Sequence, residues 1–369
     1  MKDFNHWDKL HKNEELEEFS NDNVGLLWLK TKSIIRKELI AEFCKKNNIT
    51  LDAKKQEIKF IELFNLFSSD IEKYSAILDE YIQEKNKEFL STLKEKTIIS
   101  ELEKVENFKW GGDNKNSLDK SLIKQYIKTK TPSFKILKSK LKTKIKTDVE
   151  NYVLNSWYNH WSSILIEHIF KSHTEVLPTV GQIKSVDFFI NDVPFDLKVT
   201  YLPAEYIKTK RKEKGLPVEL TFLKKKATEA KIIFDKTAKP ADIFYEIVEK
   251  MKDRNDAFCL DVLMTLKDEK LEILKEVQDN PKILATWLYE NQGEMRFGSE
   301  NRLFLVLVDT DDFTNSWKLK RNIDLLKPTI LSYLDSFKTK NTEDLKIEFE
   351  FKGKTKTFTA LADIIFVVK

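Results

Sequence analysis

The sequence predicts an α/β protein: a mixed β-sheet flanked by helices, carried behind an all-helical N-terminal domain. Three observations lead there. Apolar residues recur at helical spacing through the first hundred positions, and no glycine separates Gly25 from Gly111. Ser185 to Thr200, SVDFFINDVPFDLKVT, places two short apolar runs on either side of Asn191-Asp192, a pair suited to a tight hairpin turn. Leu303 to Val308, LFLVLV, is an unbroken apolar run fit for a buried central strand. Residues 1–107 are read as a helical domain, 108–147 as a basic connector and 148–369 as the α/β domain.

Composition narrows the class. The chain has 369 residues, 34% charged and 41% hydrophobic, which describes a folded protein with room for two domains. Cys44 and Cys259 are too few for a disulfide framework or a thiolate zinc site, which suits a reducing cytoplasm. No h-region opens the sequence and no 18 apolar residues run together, so neither secretion nor a membrane role is expected. The net charge is only +4, so nucleic-acid binding has to be argued from where charge is concentrated.

In the N-terminal region Phe60, Leu63, Phe64 and Phe67 share a helical face, as do Tyr74, Ile77, Leu78, Tyr81 and Ile82. Trp7 and Trp28 read as core residues of the same bundle, and His6 and His11 as surface residues. Trp110-Gly111-Gly112-Asp113-Asn114 marks a boundary or hinge. From Lys109 to Lys146 twelve lysines face only Asp113 and Asp119. Phe134, Leu137, Leu141 and Ile145 fit one helical face there, while Lys138, Lys140, Lys142, Lys144 and Lys146 also alternate as in a strand. Either form offers a stripe for tracking phosphates of double-stranded DNA, or simply a solvated face. Asp148 to Phe170 reads as a strong helix with Val153, Trp157, Trp161, Ile164 and His168 on one stripe. His160, His168 and His173 lack the spacing of a metal motif and are read as packing or surface residues.

The hairpin carries the chemistry. With Asn191-Asp192 as the loop, Asp187 lies opposite Asp196. Alternation then puts Val186, Phe188, Ile190, Val193, Phe195, Leu197 and Val199 on one face. Ser185, Asp187, Asp196, Lys198 and Thr200 occupy the other, with Phe189 and Pro194 near the turn. Opposed carboxylates repel by about 4 kcal/mol in a local dielectric near 20. A fold keeps such a pair when a divalent cation sits between them or one of them holds a proton. Hard oxygen donors suit Mg²⁺, or Mn²⁺, with the rest of the shell left to water and phosphate. Lys198, on the same face, is placed to hold the attacking water or neutralise charge on phosphorus.

Asp187, Asp196-Leu197-Lys198 and the joining hairpin resemble the active-site core of the PD-(D/E)xK nuclease superfamily, which includes many restriction endonucleases. Val186 stands in place of the motif's proline and Asp196 in place of the commoner glutamate. An acidic-x-Lys triplet alone carries little, since Glu57-Ile58-Lys59, Asp268-Glu269-Lys270 and Asp344-Leu345-Lys346 also fit it. None of those has a strand just upstream bringing a second acid to the same face. The resemblance implies a restriction-endonuclease-like core and Mg²⁺-dependent cleavage of double-stranded DNA. It implies a cation on Asp187, Asp196 and the Leu197 carbonyl, with Glu167 adding a carboxylate from the preceding helix and Glu175 as the fallback. A restriction or defence enzyme is the expected type, and a palindromic target would imply a homodimer. The alternatives are a nuclease subunit of a repair or defence complex, or a DNA-binding or scaffold protein without cleavage.

After the hairpin, Lys208, Lys210, Arg211, Lys212, Lys214 and Lys224 to Lys226 form a second basic tract, read as a loop and flanking elements on the active-site side, where a DNA backbone would pass. Residues 241–291 return to helix and are expected to cover the sheet. Asp309, Asp311 and Asp312 follow the central strand as a second metal site or, preferably, as a loop capping the next helix. Arg296 and Arg302 are placed to read bases or phosphates. Ile347, Phe349 and Phe351 alternate, Gly353 turns, and Ala362 to Val368 gives a last strand of the same sheet. No G-x-x-x-x-G-K-[ST] loop occurs, so no nucleotide cofactor is expected. No G-x-S-x-G elbow supports acyl transfer.

Overall fold

The structure, a computed structural model, describes residues 2–106, 127, 133–291, 299–351 and 356–369, apart from the side chains at 143, 144 and 182. The Trp110–Asn114 break, Lys144, Arg296 and Gly353 fall outside what is described. The protein is α/β, with one six-stranded mixed sheet in the order β1-β2-β3-β4-β6-β5. The strands are β1 (Val176–Ile183), β2 (Val186–Ile190), β3 (Val193–Tyr201), β4 (Arg302–Val308), β5 (Lys346–Glu350) and β6 (Thr357–Val368). β3, β4 and β6 run parallel at the centre, and antiparallel pairs form both edges.

The hairpin forms in the expected register, with Ile190 opposite Val193 and Phe188 opposite Phe195. Asn191 and Asp192 both take positive φ, 47° and 60°, as a two-residue turn matched to strand twist requires. β4 is buried along its whole length, as its sequence indicated. One sheet face packs Phe188, Phe195, Leu303, Leu305 and Ile365 under the helices Lys146–Lys171 and Ile323–Phe337. The other packs Phe304, Val306 and Ile364 under Tyr206 and the helices Ala257–Asp279 and Pro281–Asn291. The first half of Ala257–Asp279 leaves the sheet and makes a separate cluster with Glu219–Glu229 and Pro240–Arg254.

β1 had no signal in the sequence, because Pro178 and Gly181 interrupt it; both are tolerated on an edge strand. Its pairing with β2 slips between Pro178 and Ile183, a bulge that opens the ladder beside Asp187. The N-terminal helices close over this edge, where Trp28, Phe60, Ile183, Val186 and Phe189 share a core. Lys30, buried in the helix Asn23–Ser33, pairs with Asp79 (2.9 Å) and with Asp192 of the hairpin turn (3.1 Å). At Gly181 an added Cβ would stand 2.2 Å from the Ser33 carbonyl oxygen. Gly181→Ala is therefore expected to cost about 1–3 kcal/mol, read as a lower urea midpoint, because a backbone atom has to give way.

One open alternative closes and two expectations change. The Lys138–Lys146 alternation is helical: Phe134–Lys140 is α-helix, Leu141–Ile145 a π-turn, and Lys146–Lys171 continues as α-helix. In that last helix Asn155, Tyr158, Ser162, Leu165, Ile166 and Ile169 are buried, while Val153 and Trp157 are exposed. The chain offers two apolar stripes there, and the one that includes small polar residues is buried, Ile166 and Ile169 on the sheet and Tyr158 and Leu165 against Leu102 and Trp317. His11 is buried against Trp28 rather than exposed, and burial beside Lys32 pulls its pKa down to about 4.

Candidate active site

Asp187 and Asp196 meet on the polar face of the hairpin at the point where β2 peels from β3. Regular pairing stops at Phe188, and the Asp187 carboxylate takes the next free amide of β3, accepting from Leu197 N–H at 2.8 Å. Burial is the main reason that Asp187 is pushed up to about 6 from its ordinary 3.8, and the neighbouring charge of Asp196 is the next. Glu167 raises it further, while the Leu197 amide and Lys198 pull it back. Two carboxylates, a third from a helix and an ammonium thus act on one another, as the hairpin register requires.

Asp196 is buried, and Lys198 bridges its two oxygens at 2.8 and 2.7 Å. Behind it lies Arg302, wholly buried on β4 in register with Asp196, its Nε 3.7 Å from Asp196 Oδ2. Arg302 donates to Glu300 at 3.0 Å and stacks over the Tyr289 ring at 4.9 Å. It is closed off from solvent, so it supports Asp196 from behind instead of reading bases. Glu300, which the sequence reading missed, is buried here, and Ser185 Oγ donates to it at 3.3 Å. Burial raises its carboxyl, with Arg302 opposing. Its only sequence signal is the step from acid to arginine at the start of β4.

Glu167 reaches the site from the helix Lys146–Lys171 and is held by Lys171 at 2.7 Å. Glu167, Lys171 and Asp187 line one cleft of about 320 Å³ at the β1 bulge, together with Arg36 from the N-terminal helices. Glu175 pairs with Lys338 at 2.8 Å and takes no part.

The basic tracts separate. Lys138 and Lys142 are exposed and Lys140 partly so, on a helix that buries no residue. The second tract falls mostly on the helices Ala204–Glu213 and Glu219–Glu229 that flank the short loop at 214–218, and most of the charge at Lys208–Lys214 is spent internally. Arg211 is buried on Glu269 and the Pro217 carbonyl, so it offers nothing to a passing strand. Lys210 is tied to Glu276 (2.6 Å) and Lys208 to Glu205 (3.0 Å); Lys212 is exposed. Asp312 caps the helix that follows β4 and Asp309 accepts from the amides of Asp311 and Asp312, the loop reading of that triplet.

No family model matches the chain, and neither a curated protein nor a solved structure is significantly similar to it. The nuclease resemblance rests on the residues themselves. Among the described residues, no group of three or more His, Cys, Asp or Glu side chains gathers as a metal site. A cation here would rest on two carboxylates and a main-chain oxygen, a donor set that fits Mg²⁺ because that ion keeps several waters. Lys198 already places one positive charge across Asp196, and Asp187 stays short of such a charge, as its raised proton affinity records. Among the described residues no helix is long and apolar enough to cross a membrane.

Proposed function

We propose that the chain is a Mg²⁺-dependent nuclease that hydrolyses phosphodiester bonds of double-stranded DNA, with a restriction-endonuclease-like core formed by the hairpin and the parallel strands. The observation that carries this reading is Asp187: a carboxylate anchored by the Leu197 amide, pushed up by burial and by the charges of Asp196 and Glu167, with Lys198 beside it. Such crowding destabilises an ordinary sheet face and is useful where a cation or a proton is to be taken up.

Asp187, Asp196 and the Leu197 carbonyl hold the cation, Mn²⁺ serving as well as Mg²⁺, and Glu167 assists. When bound, the ion polarises a phosphoryl oxygen and offsets its charge. Lys198 is about 40% exposed, whereas Arg302 is sealed in, so the lysine ammonium is the group that reaches a water or the phosphate. It positions that water and offsets charge growing on phosphorus. Arg302 braces and orients Asp196 from behind without meeting substrate. The exposed lysines of Phe134–Lys140 and its continuation add salt-sensitive grip on the DNA backbone. A restriction or defence enzyme acting as a homodimer fits this chemistry, as does a subunit of a repair complex.

The test is digestion of supercoiled plasmid. Nicking in Mg²⁺ that EDTA stops is expected, and Lys198→Ala should slow it about 10²–10³-fold, the scale for losing one preorganised charge. DNA retention by that variant should stay close to that of the parent. If plasmid and RNA both survive in Mg²⁺ and in Mn²⁺, catalysis is excluded. The reading then becomes that of a DNA-binding scaffold using the exposed lysine helix.

A further inference from the structure

We infer that Arg36 is a phosphate-binding residue of the cleavage cleft, so that the N-terminal helices contribute to substrate binding. This rests on the nuclease reading of the Asp187 site and adds a residue to it. Arg36 lies between the helices Asn23–Ser33 and Lys37–Lys46, far in sequence from the hairpin. Three observations bring it to the acids. The β1 bulge between Pro178 and Ile183 leaves a gap in the sheet edge beside Asp187. Gly181 lets the backbone at Ser33 press into that gap, where Ser33 Oγ also accepts from Val180 N–H at 3.1 Å. The Arg36 stem then lies over Gly181, its Cγ 3.8 Å from where a Cβ would stand, and the side chain lines the cleft with Glu167, Lys171 and Asp187.

The charges around the cleft are divided unevenly. Lys171 is bound to Glu167, and Asp187 accepts from the Leu197 amide. Arg36 is exposed, and its side chain takes part in none of the ion pairs and hydrogen bonds among the described residues. A planar guanidinium with all its donors free, lining the same cleft as two carboxylates, matches the two non-bridging oxygens of a phosphodiester. The carboxylates repel those same oxygens. A strand entering the cleft would therefore be oriented with one phosphate on Arg36 and the next part of its backbone towards the Asp187 site. Gly181 is the feature that permits this approach, since any side chain there would push Ser33, and Arg36 with it, off the sheet.

The parent protein, Arg36→Ala and Arg36→Lys would be compared in two assays: anisotropy with a short fluorescein-labelled DNA duplex and its single strand in EDTA, and cleavage of the same duplex in Mg²⁺. Arg36→Ala should weaken binding on the order of tenfold. It should also flatten the slope of log affinity against log salt by about 0.9 for duplex or about 0.7 for single strand, the change expected when one phosphate is no longer neutralised. KM should rise by a like factor with kcat nearly unchanged, and Arg36→Lys should recover the salt slope but only part of the affinity. Because the side chain is exposed, both variants should keep the parent's melting temperature. If Arg36→Ala binds with the parent's affinity and salt slope, the inference is overturned, and cutting by the parent would leave the nuclease reading standing. If the parent fails to cut yet Arg36→Ala shows the weaker binding and flatter slope in EDTA, the phosphate site holds and the nuclease reading is what fails.

Discussion

Asp187→Asn should make the protein more stable and inactive at once. Asn keeps an oxygen for the Leu197 amide and removes the charge that burial, Asp196 and Glu167 all oppose. A carboxyl raised from 3.8 to about 6 binds its proton more tightly folded than unfolded. Stability from this group is therefore full below about pH 4 and lost as pH rises through about 6. At pH 7.5 in EDTA the variant should gain about 1–3 kcal/mol by urea titration. That gain should fade as the pH drops towards 4. Cleavage should fall at least about 10²–10³-fold. In the parent, protons and Mg²⁺ compete for the same oxygens, so more Mg²⁺ should be needed for half-maximal cutting as pH falls through 6. A variant that is less stable than the parent at neutral pH would show that Asp187 serves the fold and not a site.

Arg302→Met should have the largest cost to stability. The arginine is enclosed between Asp196, Glu300 and the Tyr289 ring. Removing one partner of a buried ionic group leaves the others uncompensated, a loss of about 3–5 kcal/mol. Glu300→Gln combined with Arg302→Met should return part of that loss, because the second buried charge goes with the first. Measured urea midpoints of the two variants and the parent decide this. A single-variant cost below about 1 kcal/mol would mean that the network is dispensable, and Asp196 would need another explanation for its burial.

Some of the site was open to sequence reasoning because its cause is local. Strand alternation and the φ > 0 tolerance of Asn191-Asp192 fix which residues share a face, so Asp187, Asp196 and Lys198 could be grouped without coordinates. The same holds for β4, where six consecutive apolar residues leave a buried strand as the simplest outcome. Periodicity failed where two faces compete. The helix Lys146–Lys171 has apolar residues on more than one stripe, and only its tertiary neighbours, the sheet against Ile169 and the cluster of Leu102 and Trp317 against Tyr158 and Leu165, select these over Val153 and Trp157. Charge counting failed for the tract at Lys208–Lys214, because Glu276, Glu269 and Glu272, which take up Lys210, Arg211 and Lys214, lie some sixty residues further on.

By itself, then, the sequence determined the α/β class, the hairpin register and the facing of three charged side chains, all consequences of dihedral preference and a period of two. Tertiary structure alone decided what surrounds them. The bulge in β1, the glycine that admits Ser33, the approach of Arg36 and Glu167, and the sealing of Arg302 behind Asp196 each depend on contacts between segments distant in the chain. Burial and charge proximity are properties of those contacts, which is why the raised affinity of Asp187 for a proton is not written in the residues beside it in the chain.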